Sequence, residues 1–194
     1  MRGLSISRIV YYLALIIVVA GLTHLIVLLT IPTVAEHDAY ARIEALGPPF
    51  KTVVLPEASP KERDFPYLDP ATSVAVCRYD LGQGPVRARA PLGQAGFASL
   101  SFHSQRGVAF YALTDRAATK GRMDALIVTA EQLRTLVSHD DEDNPTEDLR
   151  IVSPTKAGFV MTRVLSESPD AYSEAAEQAG ALTCAPEPIA EAEK

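Results

Sequence analysis

The run from Ile9 to Ile31, IVYYLALIIVVAGLTHLIVLLTI, contains no charged residue, and its only polar side chains are Tyr11, Tyr12, Thr23, His24 and Thr30. At 1.5 Å rise per residue, about 20 apolar residues cross the hydrocarbon core of a bilayer, and this run exceeds that length. A cleaved secretory signal is the competing reading. Arg2 and Arg8 supply its basic start, and Thr33-Val34-Ala35 a passable cleavage site. The apolar run is too long for a signal core of about 7–15 residues, however, and Pro32 lies close before the candidate cut. The chain therefore reads as carrying an uncleaved anchor: a tail at 1–8, a transmembrane helix at 9–31, and Pro32 closing the span. Both charges of the tail are Arg, whereas the first basic residue after the span is Arg42, among Glu36, Asp38 and Glu44. The bias of Lys and Arg puts the tail in the cytoplasm and the remainder outside the inner membrane.

That remainder is the size of one domain, long enough to bury a core. The whole chain carries a formal net charge of −6, and the two tail arginines leave the exported part near −8. An acidic domain without a Lys/Arg cluster is a poor partner for nucleic acid and is not drawn to anionic lipid head groups. Cys77 and Cys184 are the two cysteines. On an oxidising side they most simply form one disulfide; two buried unpaired thiols are the alternative. The bridge closes a loop of about 107 residues, which chain entropy values at ~4–5 kcal/mol. There is no CxxC, CxxCH or Cys/His ligand pair, so metal and haem readings find no support, and no cofactor is expected.

Past the span, 33–47 reads as a short amphipathic juxtamembrane helix stopped by Gly47-Pro48-Pro49; whether it continues the first helix through Pro32 is open. The stretch 50–184 reads as a β-rich domain. KTVVLP is a short strand, followed by a polar, proline-punctuated loop. TSVAVCRYDL puts Val74 and Val76 on one face and Cys77 and Tyr79 on the other. VRARAPL alternates with Arg87 and Arg89 outward. FASLSFHS turns Leu100 and Phe102 inward and Ser99, Ser101 and His103 outward. VAFYALTD, apolar on both faces, reads as a central strand hairpinned to it. MDALIVTA is a further strand, AEQLRTLV a short helix, and SHDDEDNPTED an acidic loop. LRIVS and GFVMTRVL read as a second hairpin. Ser168 and Pro169 open a final helix, with Ser168 as its cap and Cys184 at its end; 185–194 reads as a disordered tail. The expected class is α+β, mainly β: one antiparallel, sandwich-like domain with a C-terminal helix.

Few residues point to chemistry. Ser101 and His103 share a strand face, with Asp115 after the next strand, so a nucleophile, base and orienting carboxylate can be named. The sharp G-x-S-x-G turn that exposes such a serine is absent, and a polar strand surface accounts for the same residues. Asp115-Arg116 is either a structural ion pair at a strand end or part of a groove. Asp140-Asp141-Glu142-Asp143 lacks the spacing, glycine and terminal glutamate of a calcium loop. His24 is costly inside a bilayer and, with Gly21, Thr23 and Thr30 nearby, offers a helix–helix contact; a singly tolerated neutral histidine is the plainer reading.

The stretch Phe97–Thr129 resembles the DUF1254/DUF1214 group of bacterial envelope proteins. Ser99-Leu100-Ser101-Phe102, Phe110-Tyr111, Asp115-Arg116 and Leu126-Ile127-Val128 stand where that group has an aromatic-flanked serine-leucine segment, an aromatic strand, an Asn/Asp-Arg-like pair and an apolar strand. The stretch from His24 to Pro32, Asp69-Pro70 and Cys77–Leu81 look like a short, membrane-anchored alphaproteobacterial branch of it. The resemblance implies an exported β-rich domain and transfers no catalytic residue. The longer members of the group have two domains, whereas this chain has room for one. The expected role is a binding or assembly domain, an accessory subunit of a cell-envelope complex with a membrane or periplasmic protein as partner. A periplasmic enzyme acting on envelope glycan or lipid, or a tethered small-ligand or carbohydrate-binding domain, are the alternatives.

Overall fold

The computed structural model describes residues 5–34, 39–62, 64–65, 67–93, 96–140 and 148–188. The chain divides into two units, Met1–His37 and Asp38–Lys194. The first holds helix α1 (Ile6–Val34), whose side chains from Ile6 to Ile31 are all exposed. It is long and apolar enough over Ile6–Ile31 to cross a membrane. The Thr23 hydroxyl donates to the Val19 carbonyl at 2.9 Å and that of Thr30 to Ile26 at 2.9 Å, so each finds an acceptor in its own helix. Pro32 does not end the helix, which runs on to Val34. So near a C-terminus, proline forfeits a single ladder bond.

The second unit contains α2 (Ala39–Ala45), β1 (Thr52–Val54), β2 (Thr72–Asp80), β3 (Val86–Pro91), β4 (Ala98–Ser104), β5 (Ala109–Thr114), β6 (Arg122–Val128), α3 (Ala130–His139), β7 (Arg150–Val152), β8 (Ala157–Leu165), α4 (Tyr172–Gly180) and β9 (Thr183–Pro186). The strands form a five-stranded sheet in the order β1-β2-β8-β4-β5 and a four-stranded sheet in the order β7-β6-β3-β9. Every pairing is antiparallel except β6 with β7. The period-two alternation of each strand builds one shared core between the sheets. Ala75, Cys77, Tyr79, Leu100, Phe102, Val160 and Val164 from the first sheet meet Val86, Ala88, Met123, Ala125 and Ile127 from the second. Helix α4 adds Ala175 and Ala179 to that core, small side chains that let the helix approach closely. The fold is thus α+β and mainly β, a sandwich with a C-terminal helix. The Cys77–Cys184 disulfide joins β2 to β9, one strand from each sheet, with Cα atoms 6.3 Å apart.

A second cluster covers the outer face of the five-stranded sheet. Val74, Val76 and Phe159 pack there against Ile43 of α2 and Leu55, with Tyr40, Leu46, Phe65 and Leu68 around them. Arg78 of β2 holds α2 in place, its guanidinium 2.6 Å from Glu44 and 5.6 Å from the centre of the Tyr40 ring.

Several expectations are corrected. β5 is an edge strand, not a central one; the central place belongs to β8, whose Phe159 and Val160 are both buried, on opposite faces. β7 and β8 do not form a hairpin, because the turn after Val152 carries the chain from one sheet to the other and β7 pairs with β6 instead. Ser168 makes no side-chain cap; a tight turn, Pro169–Ala171, leads into α4. Cys184 lies on β9, after the helix, and Ala185 and Pro186 pair with β3 instead of belonging to a loose tail. Arg87 points to the outer face yet is only 9% exposed. Helix 33–47 is shorter than expected, at Ala39–Ala45, and residues 35–38, 141–147 and 189–194 lie outside the described residues.

Candidate functional site

The alternation of β4 sends Ala98, Leu100 and Phe102 into the core and Ser99, Ser101 and His103 to the opposite face. Because that face is covered, Ser101 is only 7% and His103 9% exposed. The His103 ring stacks on Phe159 with centroids 4.6 Å apart and planes within 5°. Ser101 Oγ lies 2.9 Å from His103 Nε2, and His103 Nδ1 lies 3.2 Å from the Gly107 carbonyl. A carbonyl only accepts, so Nδ1 carries the proton and Nε2 takes the Ser101 hydroxyl. The Gly107 carbonyl reaches this place from a turn with φ of 76°, a left-handed conformation that suits glycine. Burial holds His103 below the ordinary histidine value; Arg163 pushes the same way and the Gly107 carbonyl opposes them. The neutral imidazole is thus the resting form at neutral pH.

The geometry of this pair is that of a hydroxyl and its base. The third partner is a backbone carbonyl, however, and not a carboxylate. Asp115 and Arg116 lie in the turn after β5, where the Asp115 carboxylate accepts the Arg116 backbone N–H at 2.9 Å and no hydrogen bond connects either residue to His103. The two form no ion pair with each other among the described residues.

On the inner side of the same strands, the Tyr79 hydroxyl lies 3.1 Å from the His103 carbonyl and 3.0 Å from Ser153 Oγ. Burial pushes this phenol up to about 12. Gly158 makes the arrangement possible, since a Cβ there would run into the Tyr79 hydroxyl and the His103 carbonyl.

The outer face of the four-stranded sheet is different. Arg87 donates to both carboxylate oxygens of Asp148 at 2.8 and 2.9 Å and to both of Glu187 at 2.6 and 2.7 Å, with Asp124 at 3.3 Å. Asp124 is shared with Arg89 at 2.9 Å and Arg122 at 3.3 Å, and Arg150 pairs with Asp140 at 2.6 Å. The Arg87 hydrogen bonds hold Asp148 and Glu187 below the usual carboxylate range. The sequence reading missed this network. Its signal was two alternating arginines in β3 and an aspartate in β6, which only the register Arg89↔Asp124 brings together.

Two open clefts lie elsewhere. One of about 450 Å³ is lined by Glu57, Pro70, Ser166, Glu167, Ser168 and Tyr172 among others, and a neighbour of about 370 Å³ by Glu62, Phe65, Tyr67 and Leu68, with Pro70 common to both. The larger has the volume of a small-molecule site. Ser101 and His103 line neither. On α1, Gly21 and His24 are three residues apart and share a face, whereas Thr23 is two from Gly21 and turns away.

Residues 51–186 match the family described as "Protein of unknown function (DUF1254)". The fold is similar to the crystal structure of the VPA0106 protein from Vibrio parahaemolyticus, with a TM-score of 0.51 and 11% identity over 80% of this chain and 37% of that one. An uncharacterised protein from Burkholderia cenocepacia aligns with a TM-score of 0.45 and 11% identity over 78% of this chain and 38% of that one. The chain thus spans little more than a third of the length of these solved proteins. No curated protein matches it.

Proposed function

The chain belongs to the DUF1254 family, and from that premise we propose that it is a single-pass inner-membrane protein whose periplasmic sandwich works by binding, as an accessory subunit of a cell-envelope complex. The observation that carries the reading is α1, a helix able to span a bilayer on the same chain as a disulfide-bearing domain. Disulfides persist in oxidising compartments, and the arginines before the span favour a cytoplasmic N-terminus. The partner is a membrane or periplasmic protein, and Gly21 and His24 are the helix face offered to it.

The test is mild crosslinking and pull-down of the full chain from membranes, with protease accessibility of spheroplasts as the check on orientation. A reproducible envelope partner that is weakened by His24→Leu supports the reading. A chain released from the membrane by alkaline carbonate, or a domain protected from external protease, overturns it. A second reading, a tethered ligand-binding domain, draws on the cleft beside Tyr172, where Glu57 and Glu167 make no hydrogen bond or ion pair among the described residues. It predicts a thermal shift of the full chain in detergent with an envelope saccharide. The enzyme reading draws on the 2.9 Å contact of Ser101 with His103 and stands or falls with Ser101→Ala.

A further inference from the structure

We propose that β5 is a self-docking edge, through which two copies of this chain pair antiparallel and join their five-stranded sheets into one. β5 (Ala109–Thr114) is the outermost strand of its sheet, so on either side of a bulge at Phe110 alternate N–H and C=O groups point away from β4 with no strand among the described residues to receive them. Edge strands are ordinarily kept short or protected by charge, proline or a bulge, and β5 has the last of these alone. The other three edges follow that rule: β1 and β7 have three residues each, and β9 has four and ends in Pro186. β5 has six, and from Gly107 to Thr114 it carries neither a charge nor a proline. Its flanks are apolar as well, with Val108 62%, Tyr111 40% and the nearby Phe97 50% exposed. A strand apolar on both faces is the pattern of a sheet interior, and pairing with another strand would give it one.

Charge selects a second copy as the occupant. Arg106 lies in the turn before β5 and Asp115 directly after it, and neither has an ion-pair partner among the described residues. Antiparallel pairing of identical strands lays the turn of each copy beside the strand end of the other. Arg116 refines the register: pairing centred on Tyr111 would oppose Arg106 to Arg116, whereas pairing centred on Phe110 sets Gln105 and Arg106 beside Asp115 and Thr114 of the other copy. Two six-residue edges make a small contact, well below a standard interface. The affinity therefore rests on the membrane reading above, because tethering both copies in one bilayer raises their effective concentration.

The test uses the full chain in native membranes. Two tagged copies, one Ala109→Cys and one Tyr111→Cys, are co-expressed and run without reductant, with Arg134→Cys on α3 as the control. A disulfide-linked heterodimer absent from the control supports the proposal. Its loss with Arg106→Glu and its return with the double swap Arg106→Glu, Asp115→Arg ties it to the predicted register. Only monomer, or a crosslink to a protein of another mass, overturns it. Carbonate extraction of the same membranes reads the anchor separately, so a failed anchor is told apart from a failed edge. The Cys77–Cys184 bridge, read by alkylation, reports that each variant has folded.

Discussion

The outer faces of the two sheets treat polar residues in opposite ways. The outer face of the five-stranded sheet buries Ser101 and His103, short and neutral and satisfied by each other and by the Gly107 carbonyl, and beside them under α2 it buries Arg78, paired with Glu44. On the four-stranded sheet the equivalent alternation presents Arg87, Arg89 and Asp124, which find opposite charges, and Arg87 is no more exposed than His103. Taking a charge out of water costs several kcal/mol unless it is well paired, while a hydroxyl or neutral imidazole needs only a hydrogen bond. Partners, more than the pattern along the strand, decide which polar chemistry a face can hold.

Removing a packed ring should therefore hurt far more than removing one end of the charge network. Phe159→Ala removes the ring that stacks on His103 and packs with Ile43 and Val76, and should cost about 3–5 kcal/mol in urea denaturation of the full chain in detergent. Arg87→Ala strands Asp148 and Glu187, which are 34% and 38% exposed, so the loss should be about 1–2 kcal/mol, between an exposed and a buried pair. It should also shrink in high salt. Equal losses for the two variants would break the comparison.

Acid separates the faces next. His103 is held below 6.5 in the fold, so below that pH the unfolded chain binds the extra proton and stability falls as pH drops. Asp148 and Glu187 are also lowered, but from 3.8 and 4.5, so their contribution persists until pH falls beneath those values. His103→Gln should flatten the melting temperature between pH 6.5 and 5 and leave the steeper loss below 4.5; Arg87→Ala should do the reverse.

The long apolar helix, the α+β class, most strands and the cysteine pair were legible because each follows from simple pattern: an unbroken apolar run, period-two alternation, and two cysteines in the chain. What was not legible depends on which strand lies beside which. VAFYALTD has the composition of an interior strand, and nothing local says that β5 is left at the edge. LRIVS and GFVMTRVL are close in sequence, but Ile151 is buried beside β6 and β8 runs through the other sheet. Ser101 and His103 were placed on the right face and given the wrong solvent, because the ring that stacks on His103, Phe159, comes from β8, far along the chain. Asp148 and Glu187 were invisible as partners of Arg87, lying 61 and 100 positions away.

The smallest expected effect is the most discriminating. Ser101→Ala deletes one hydroxyl and leaves His103 Nε2 without its donor, on a ring still stacked on Phe159 and still bonded to Gly107. Losing one neutral hydrogen bond should cost about 1 kcal/mol. The hydroxyl favours the neutral imidazole, so its removal should raise the His103 value toward the ordinary one and make the acid dependence between pH 6.5 and 5 shallower than in the unaltered chain. Membrane abundance and partner recovery should be unchanged, because a serine this buried touches nothing outside its own domain. Loss of cellular function at normal abundance would mean that the covered face opens to admit a substrate. The Ser101–His103 pair would then be a working nucleophile and base, and the contrast between a neutral structural face and a charged one would fail at its centre.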